Sequence, residues 1–336
     1  MAPAGKNSAR SFEKSAAPGI VGPQSLPFRS TLSSGGAIMS RVQANLLLTL
    51  AAIIWGSAFV VQQIGTGNLG TISFTGARFL LGALVVLPFA LRQFRRVARE
   101  ERPFQRRDWV GLTVTGLVLC TAAVLQQHGI LRTSVANAGF LTAVYVPLVP
   151  IIGRLFLQRR VHWSVWPASC GCLAGTYIMS GAQGLNFRLG DLWVISSTLF
   201  WAVHVILVGI MASRTRAPLV VAVSQFLVCG LTGLVVGGLV EQPAMADFLG
   251  AFYGICYVGV FSVGMAFTLQ VVGQRFTPAA DAAIILSSET VFAALAGFIF
   301  LDERLAAVRI AGAGLILCCI LAVELLPTLG KSRPLS

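Results

Sequence analysis

Residues 126–160, QQHGILRTSVANAGFLTAVYVPLVPIIGRLFLQRR, and residues 270–304, QVVGQRFTPAADAAIILSSETVFAALAGFIFLDER, are one pattern written twice. At a shift of 144 and without a gap, Gln126 falls on Gln270, Gly129 on Gly273, Thr133 on Thr277, Ala136 on Ala280, Ala138 on Ala282 and Gly153 on Gly297. The match runs on through Phe156 and Phe300, Leu157 and Leu301, and Arg160 and Arg304. A shift of 146 sets Trp55 on Trp201, and 147 sets Phe79 on Phe226, so the repeat takes in the rest of the apolar chain.

Working outward from that segment, ten apolar spans follow one another: 44–63, 71–91, 109–130, 134–157, 164–181, 190–213, 217–240, 247–271, 278–301 and 305–326. Each is long enough for a helix to cross the hydrocarbon core, and too long and too evenly apolar for a membrane strand. The composition agrees, with 56% apolar residues, 35 glycines among the 336 residues and only 11% charged residues. A soluble domain carries about 25% charge. Soluble enzymes, nucleic-acid-binding domains and disordered proteins are excluded, although the net charge of +13 by itself suggests nucleic acid.

That charge is explained by topology. With the N-terminus in the cytoplasm, twenty of the 25 lysines and arginines lie inside; outside lie only Arg132, Arg188, Arg304 and Arg309, and Arg78 falls within the second span. This asymmetry places both termini in the cytoplasm of a multi-pass protein of the cytoplasmic (inner) membrane, its basic loops facing anionic lipid. Ten spans in two repeats make five per half. Five is odd, so the halves cross in opposite senses. The expected fold class is an all-α membrane protein of ten transmembrane helices, in two inverted five-helix repeats at 44–181 and 190–326. Inverted repeats are a recurrent plan of secondary transporters, with the site near the midplane.

Residues 1–40 hold eight serines, five glycines and four prolines and read as a disordered extension. An Arg- and Ser-rich targeting peptide is the alternative. Met39, just before the first span, is an alternative start, and 327–336 reads as a short cytoplasmic tail. All seven cysteines lie within apolar runs, so no disulfide framework is expected. Cys170 and Cys172 point to different faces of a helix and cannot share a metal. His128, His162 and His204 show no HExxH spacing, and neither a GxSxG elbow nor a GxxxxGK phosphate loop occurs. Neither metal nor cofactor is expected, nor is the protein expected to be an enzyme. Without a nucleotide loop, a gradient must drive transport.

Four runs, WGSAFVVQQIG from Trp55, FTGARFLLGALVVLP from Phe74, TSVANAGFLTAVYVPLVPIIG from Thr133 and SSETVFAALAGFIFLDERL from Ser287, resemble the EamA-type transporters of the drug/metabolite transporter superfamily. The resemblance covers about residues 44–326. It implies two inverted five-helix repeats and the export or exchange of amino acids, metabolites or drugs. Arg78, Pro147, Glu289 and Glu303 match residues the family usually carries; Arg159 departs, because the first repeat usually has an acid there, opposite Glu303.

An ionisable side chain at the bilayer centre costs roughly 2.5 to 3.5 kcal/mol or more, so those present need a reason. Trp55, Tyr145, Trp201 and Glu289 are each twelfth in their spans, which sets all four near the midplane. They form two repeat-related pairs, Trp55 with Trp201 and Tyr145 with Glu289, and with Arg78 they make up the expected substrate site. The alternative is that the aromatics fill helix interfaces. Glu289 is the candidate coupling or ligand carboxyl, taking up a proton or binding an ammonium group against aromatic walls. Arg78 either snorkels outward as an anchor or meets a substrate carboxylate or Glu289; its mate Gln225 is neutral. His128 and His204 are either proton relays or hydrogen-bonded structural residues. Gln126 and Asn137 toward the outer ends, and their mates Gln270 and Asp281 toward the inner ends, are candidate gating clusters. Pro147 and Pro150 should bend the fourth span. The pairs Gly171 and Gly175, Gly233 and Gly237, and Gly250 and Gly254 should mark close helix contacts.

The expected function is gradient-driven transport of a small metabolite by alternating access, most simply efflux of amino acids or related amphiphilic molecules. A flippase for lipids or lipid-linked substrates, or a non-transporting receptor, would use the same scaffold. The expected partners are the small-molecule substrate, the anionic bilayer, a coupling proton and, in a homodimer, a second copy of the chain.

Overall fold

A computed structural model describes residues 39–99, 103–133, 135–158, 161–180, 189–300 and 306–329. The expectations for the N-terminal extension, for Arg159, Arg160 and Glu303, and for the end of the tail fall outside these residues. The described chain is helical throughout. α1 (Arg41–Ile64) opens on a capping box in which the Ser40 hydroxyl accepts from the Gln43 amide and the Gln43 side chain accepts from that of Ser40. α2 (Thr71–Arg99), α3 (Arg106–Ile130), α4 (Val135–Thr142), α5 (Tyr145–Leu157) and α6 (Val165–Met179) complete the first half. The second consists of α7 (Leu189–Thr215), α8 (Pro218–Val240), the short α9 (Met245–Gly250) and α10 (Phe252–Tyr257), a π-helix π1 (Val258–Phe267), α11 (Thr268–Gln274), α12 (Ala279–Leu286), α13 (Glu289–Phe300) and α14 (Ala307–Leu329).

Among the described residues, eight helical stretches are long and apolar enough to cross a membrane, counting α4–α5 and α10–π1–α11 as one each. The chain is a multi-pass membrane protein. The two remaining apolar stretches are α6, only 15 residues long, and the broken pair α12–α13.

The fourth and ninth apolar spans break at the same place in the repeat, at 143–144 and at 287–288. The causes differ. Pro147 lacks the amide that would bond to the Ala143 carbonyl, and its ring crowds that oxygen. The chain tightens there, the Val144 and Val146 amides bonding three residues back to Leu141 and Ala143. No proline stands at 291. Instead, the Ser287 and Ser288 hydroxyls donate to the carbonyls of Ile284 and Ile285 at 2.7 and 2.6 Å, competing with the helical ladder. The expected bend from proline is present, and the serine break is a feature the composition alone does not announce.

The halves do not sit side by side. α2 packs along α8 and π1, α3 along α7 and α8, α6 along α14, and α1 along π1 and α11–α13, so each major contact joins one half to the other. Glycine makes the tightest of these possible. A Cβ at Gly233 would lie 2.7 Å from the Gly76 Cα, and one at Gly76 would lie 2.5 Å from the Leu234 nitrogen. Gly175 likewise abuts the Gly312 carbonyl of α14. One expectation is corrected: Gly250 has open space beside it, and only Gly254 makes a close approach, to the Gly65 backbone. Replacing Gly233 by leucine is expected to part α2 from α8, read as loss of a monodisperse peak from the detergent-solubilised protein; normal elution and melting would overturn that reading.

Candidate functional site

A cavity lies between the halves, and it brings together all five substrate-site candidates, Trp55, Arg78, Tyr145, Trp201 and Glu289. Its walls come from both repeats. The mates Trp55 and Trp201 close on Phe267, the last residue of π1, Trp55 edge-on at 4.7 Å between ring centroids and Trp201 stacked at 5.9 Å and 19°. Phe79 meets the same ring at 5.6 Å. The Trp55 indole donates to the Ser262 carbonyl of π1 at 3.3 Å, whereas the Trp201 indole nitrogen is buried without a partner among the described residues.

π1 is what carries Phe267 and Ser262 into the site. π-helical turns recur at functional sites. Here close packing accompanies it, since a Cβ at Gly259 would lie 3.0 Å from the Arg78 carbonyl on α2. Phe267 could not be found through the repeat, because its mate at a shift of 144 is Ala123. Gln62 does carry a signal in the sequence. It is seven residues after Trp55, two turns along the same face of α1, and it lines the cavity.

Arg78 does not snorkel. It is 4% exposed, its guanidinium donates to the Gln62 side-chain oxygen, and the Phe74 and Phe79 rings lie 5.6 and 5.3 Å from its central carbon. Its Nε has no partner among the described residues. The ion pair with Glu289, one of the expected alternatives, is not formed. The neutral mate of Arg78, Gln225, bonds instead to His204 at 2.7 Å, a fully buried counterpart of the pair Arg78–Gln62. His128 lies at the helix end beside Thr71 and Trp193.

Glu289 opens α13 immediately after the serine break, 7% exposed and facing the cavity. Among the described residues its carboxyl has no counter-charge and no hydrogen-bond donor. Its mate Tyr145 stands in the same place after the proline break, the phenol donating to the Ala283 carbonyl of α12 at 3.4 Å. A buried carboxyl without a partner is costly. A proton or a cationic group entering the cavity relieves that cost.

Beyond the cavity, two repeat-related contacts sit at opposite ends of α1. At one end the Thr133 hydroxyl donates to Asp191, and Gln63 donates to the Thr133 carbonyl at 3.2 Å. At the other the Thr277 hydroxyl donates to Asn45 at 2.6 Å, and Asn45 donates in turn to Glu324. Thr133 and Thr277 are mates at a shift of 144, Asn45 and Asp191 at 146. Asn45 and Gln63 are eighteen residues apart on α1, about 27 Å at 1.5 Å per residue, with Trp55 between them. The four gating candidates divide. Gln126 and Gln270 line the cavity itself, Gln126 donating to Thr142 at 3.0 Å, while Asp281 is held by Arg41 at 2.6 Å beside the Thr277 contact. Asn137 lies half-buried on α4, apart from the residues lining the cavity.

Comparison with known proteins gives one answer. The chain matches the EamA-like transporter family twice, over residues 42–181 and 188–325. It is similar to an uncharacterised transporter of Archaeoglobus fulgidus, 30% identical over 87% of this chain and 89% of that one. It is also similar to the threonine/homoserine exporter RhtA of Salmonella typhimurium, 24% identical over 86% of this chain and 91% of the exporter. A solved crystal structure at 18% identity superposes with a TM-score of 0.70 over 87% of this chain and all of its own, which shows a shared fold.

Proposed function

The chain belongs to the EamA-like transporter family, and from that premise we propose that it is a secondary transporter that exports a small amphiphilic metabolite, an amino acid or a related compound, by alternating access. The observation that carries this reading is Glu289, a buried carboxyl with no partner among the described residues, against a central cavity built by both halves. It has the position and chemistry to carry a coupling proton or to hold a substrate ammonium group, with Trp55, Trp201 and Tyr145 as aromatic walls. Arg78, partnered by neutral Gln62, has guanidinium capacity left for a substrate carboxylate. The relative RhtA supports an amino-acid substrate by its name alone.

In this reading the chain crosses the cytoplasmic membrane ten times as two inverted repeats, α6 and α12–α13 supplying the two crossings beyond the eight long stretches. The Thr133–Asp191 contact then faces outward and the Thr277–Asn45 contact inward, each a latch that opens while the other holds; Asp281 assists at the inner end and Asn137 at the outer, while Gln126 and Gln270 act from the cavity wall. Uptake of a panel of labelled amino acids into proteoliposomes under an imposed proton gradient tests the function. Transport of none of them, with movement of a fluorescent lipid instead, would favour a flippase.

Orientation has its own test. In a background without native cysteines, Asn68→Cys between α1 and α2 is expected to react with an impermeant thiol reagent from outside, and Arg99→Cys only after permeabilisation. Asn68 serves better than its neighbour Gly67, whose φ of +57° strains any side chain. The reverse labelling would invert the topology.

A further inference from the structure

The end of α2 carries a surface separate from the central cavity. Arg92, Arg95, Arg96 and Arg99 are all exposed and line a single shallow cavity. Residues 92–107 hold seven arginines against Glu100 and Glu101, a balance of +5. Arg92, Arg95 and Arg99 lie three and four apart, a spacing at which like charges on a helix repel one another and a shared anion stabilises them.

The face that bears them shows which anion. Reading α2 at alternating steps of four and three, Val85, Phe89, Arg92, Arg96 and Arg99 form one ridge, and Leu84, Pro88, Leu91 and Arg95 form its neighbour. The apolar members are exposed, Leu84 and Phe89 each to 55%. In a membrane protein such exposure means contact with acyl chains. Each ridge changes from apolar to cationic within one turn, the same order in which a phospholipid changes from chain to headgroup. Beside it, Phe94, Phe104 and Trp109 form an aromatic cluster with centroids 5.3 to 6.3 Å apart. Aromatic rings of this kind settle at the membrane interface. We infer that the end of α2 is a binding site for the phosphodiester headgroup of an anionic glycerophospholipid, whose chains lie along Leu84 and Phe89. Guanidinium forks bind phosphate oxygens in pairs, which gives the site more selectivity than a diffuse positive surface.

Native mass spectrometry of the full-length protein in an uncharged detergent tests this with phosphatidylglycerol and phosphatidylcholine of identical chains. The protein is expected to retain phosphatidylglycerol about tenfold better, and excess inorganic phosphate is expected to leave the bound lipid in place. The triple variant Arg92→Gln, Arg95→Gln, Arg99→Gln is expected to bring the ratio to about one, whereas Arg154→Gln, Arg216→Gln, Arg275→Gln leaves it unchanged. Equal retention of the two lipids by the parent, displacement by phosphate, or an equal loss in both triple variants would overturn the site. If the glutamine triple inserts poorly, the corresponding lysine triple keeps the charge but not the fork. It is expected to lower the ratio severalfold, and an unchanged ratio would overturn the proposal equally.

Discussion

Replacing Glu289 by glutamine is expected to cut transport at least about thirtyfold if the carboxyl holds the substrate, since truncating a buried charge pair costs roughly 2 to 5 kcal/mol. The substitution is close to isosteric and removes a buried ionisable group, so the fold should survive it, and an unchanged melting temperature checks that. The two roles separate cleanly. A proton carrier leaves Glu289→Gln able to exchange substrate across the membrane but unable to accumulate it against a gradient, with a rate that no longer responds to the imposed pH difference. A substrate ligand leaves it unable to bind at all, seen as loss of both exchange and ligand-induced thermal stabilisation. Normal transport with the parent's pH dependence would remove Glu289 from the mechanism.

The second large effect concerns the repeat-related contacts at the ends of α1. With Thr133→Cys and Asp191→Cys in a cysteine-free background, crosslinking the pair is expected to reduce transport to background, and a reductant to restore it. Thr277→Cys with Asn45→Cys is expected to do the same at the other end. Alternating access requires each end to open in turn, so closing either one stops the cycle. The two locked proteins should differ in which side admits a thiol reagent to a cysteine placed at Gln62 in the cavity. Transport that continues through a fully crosslinked pair, or the same side of access in both, would end the latch reading. The hydrogen bonds themselves are weak, about 0.6 kcal/mol each on average between membrane helices. Single alanine substitutions should therefore shift the balance between states without stopping transport.

Much of the lining of the candidate site was legible in the sequence, because a membrane makes polar residues conspicuous. Trp55, Tyr145, Trp201 and Glu289 emerged from counting positions along their spans, and Arg78 from being charged inside one. Reasoning through repeat mates also had a blind spot. It finds residues that occur twice in kind, so it passed over Phe267, whose mate is an alanine, and Gln62, whose mate at a shift of 146 is Val208. The gating candidates show the same difficulty in another form. Position along a span separated inner from outer ends, but Gln126 and Gln270 prove to face the central cavity and Asp281 an end of α1, a distinction that depends on which way each helix is turned.

What this sequence determined by itself is what the bilayer enforces residue by residue: which stretches are apolar enough to cross, how the basic residues are distributed along the chain, that the chain is written twice, and which polar groups fall mid-span by count. These follow from transfer free energies and helix rise, which need no partner. The tertiary structure alone decided the rest, because each remaining feature is a relation between residues far apart in the chain. Arg78 takes Gln62 and not Glu289; π1 swings Phe267 between two tryptophans; Thr133 finds Asp191 while Thr277 finds Asn45. Even the two broken helices, matched to the residue in the repeat, arise from a proline in one half and from serine hydroxyls in the other. Inside a membrane apolar surface has no strong preference for one neighbour over another, so close packing and hydrogen bonds choose the partners, and those become visible only when the helices are assembled.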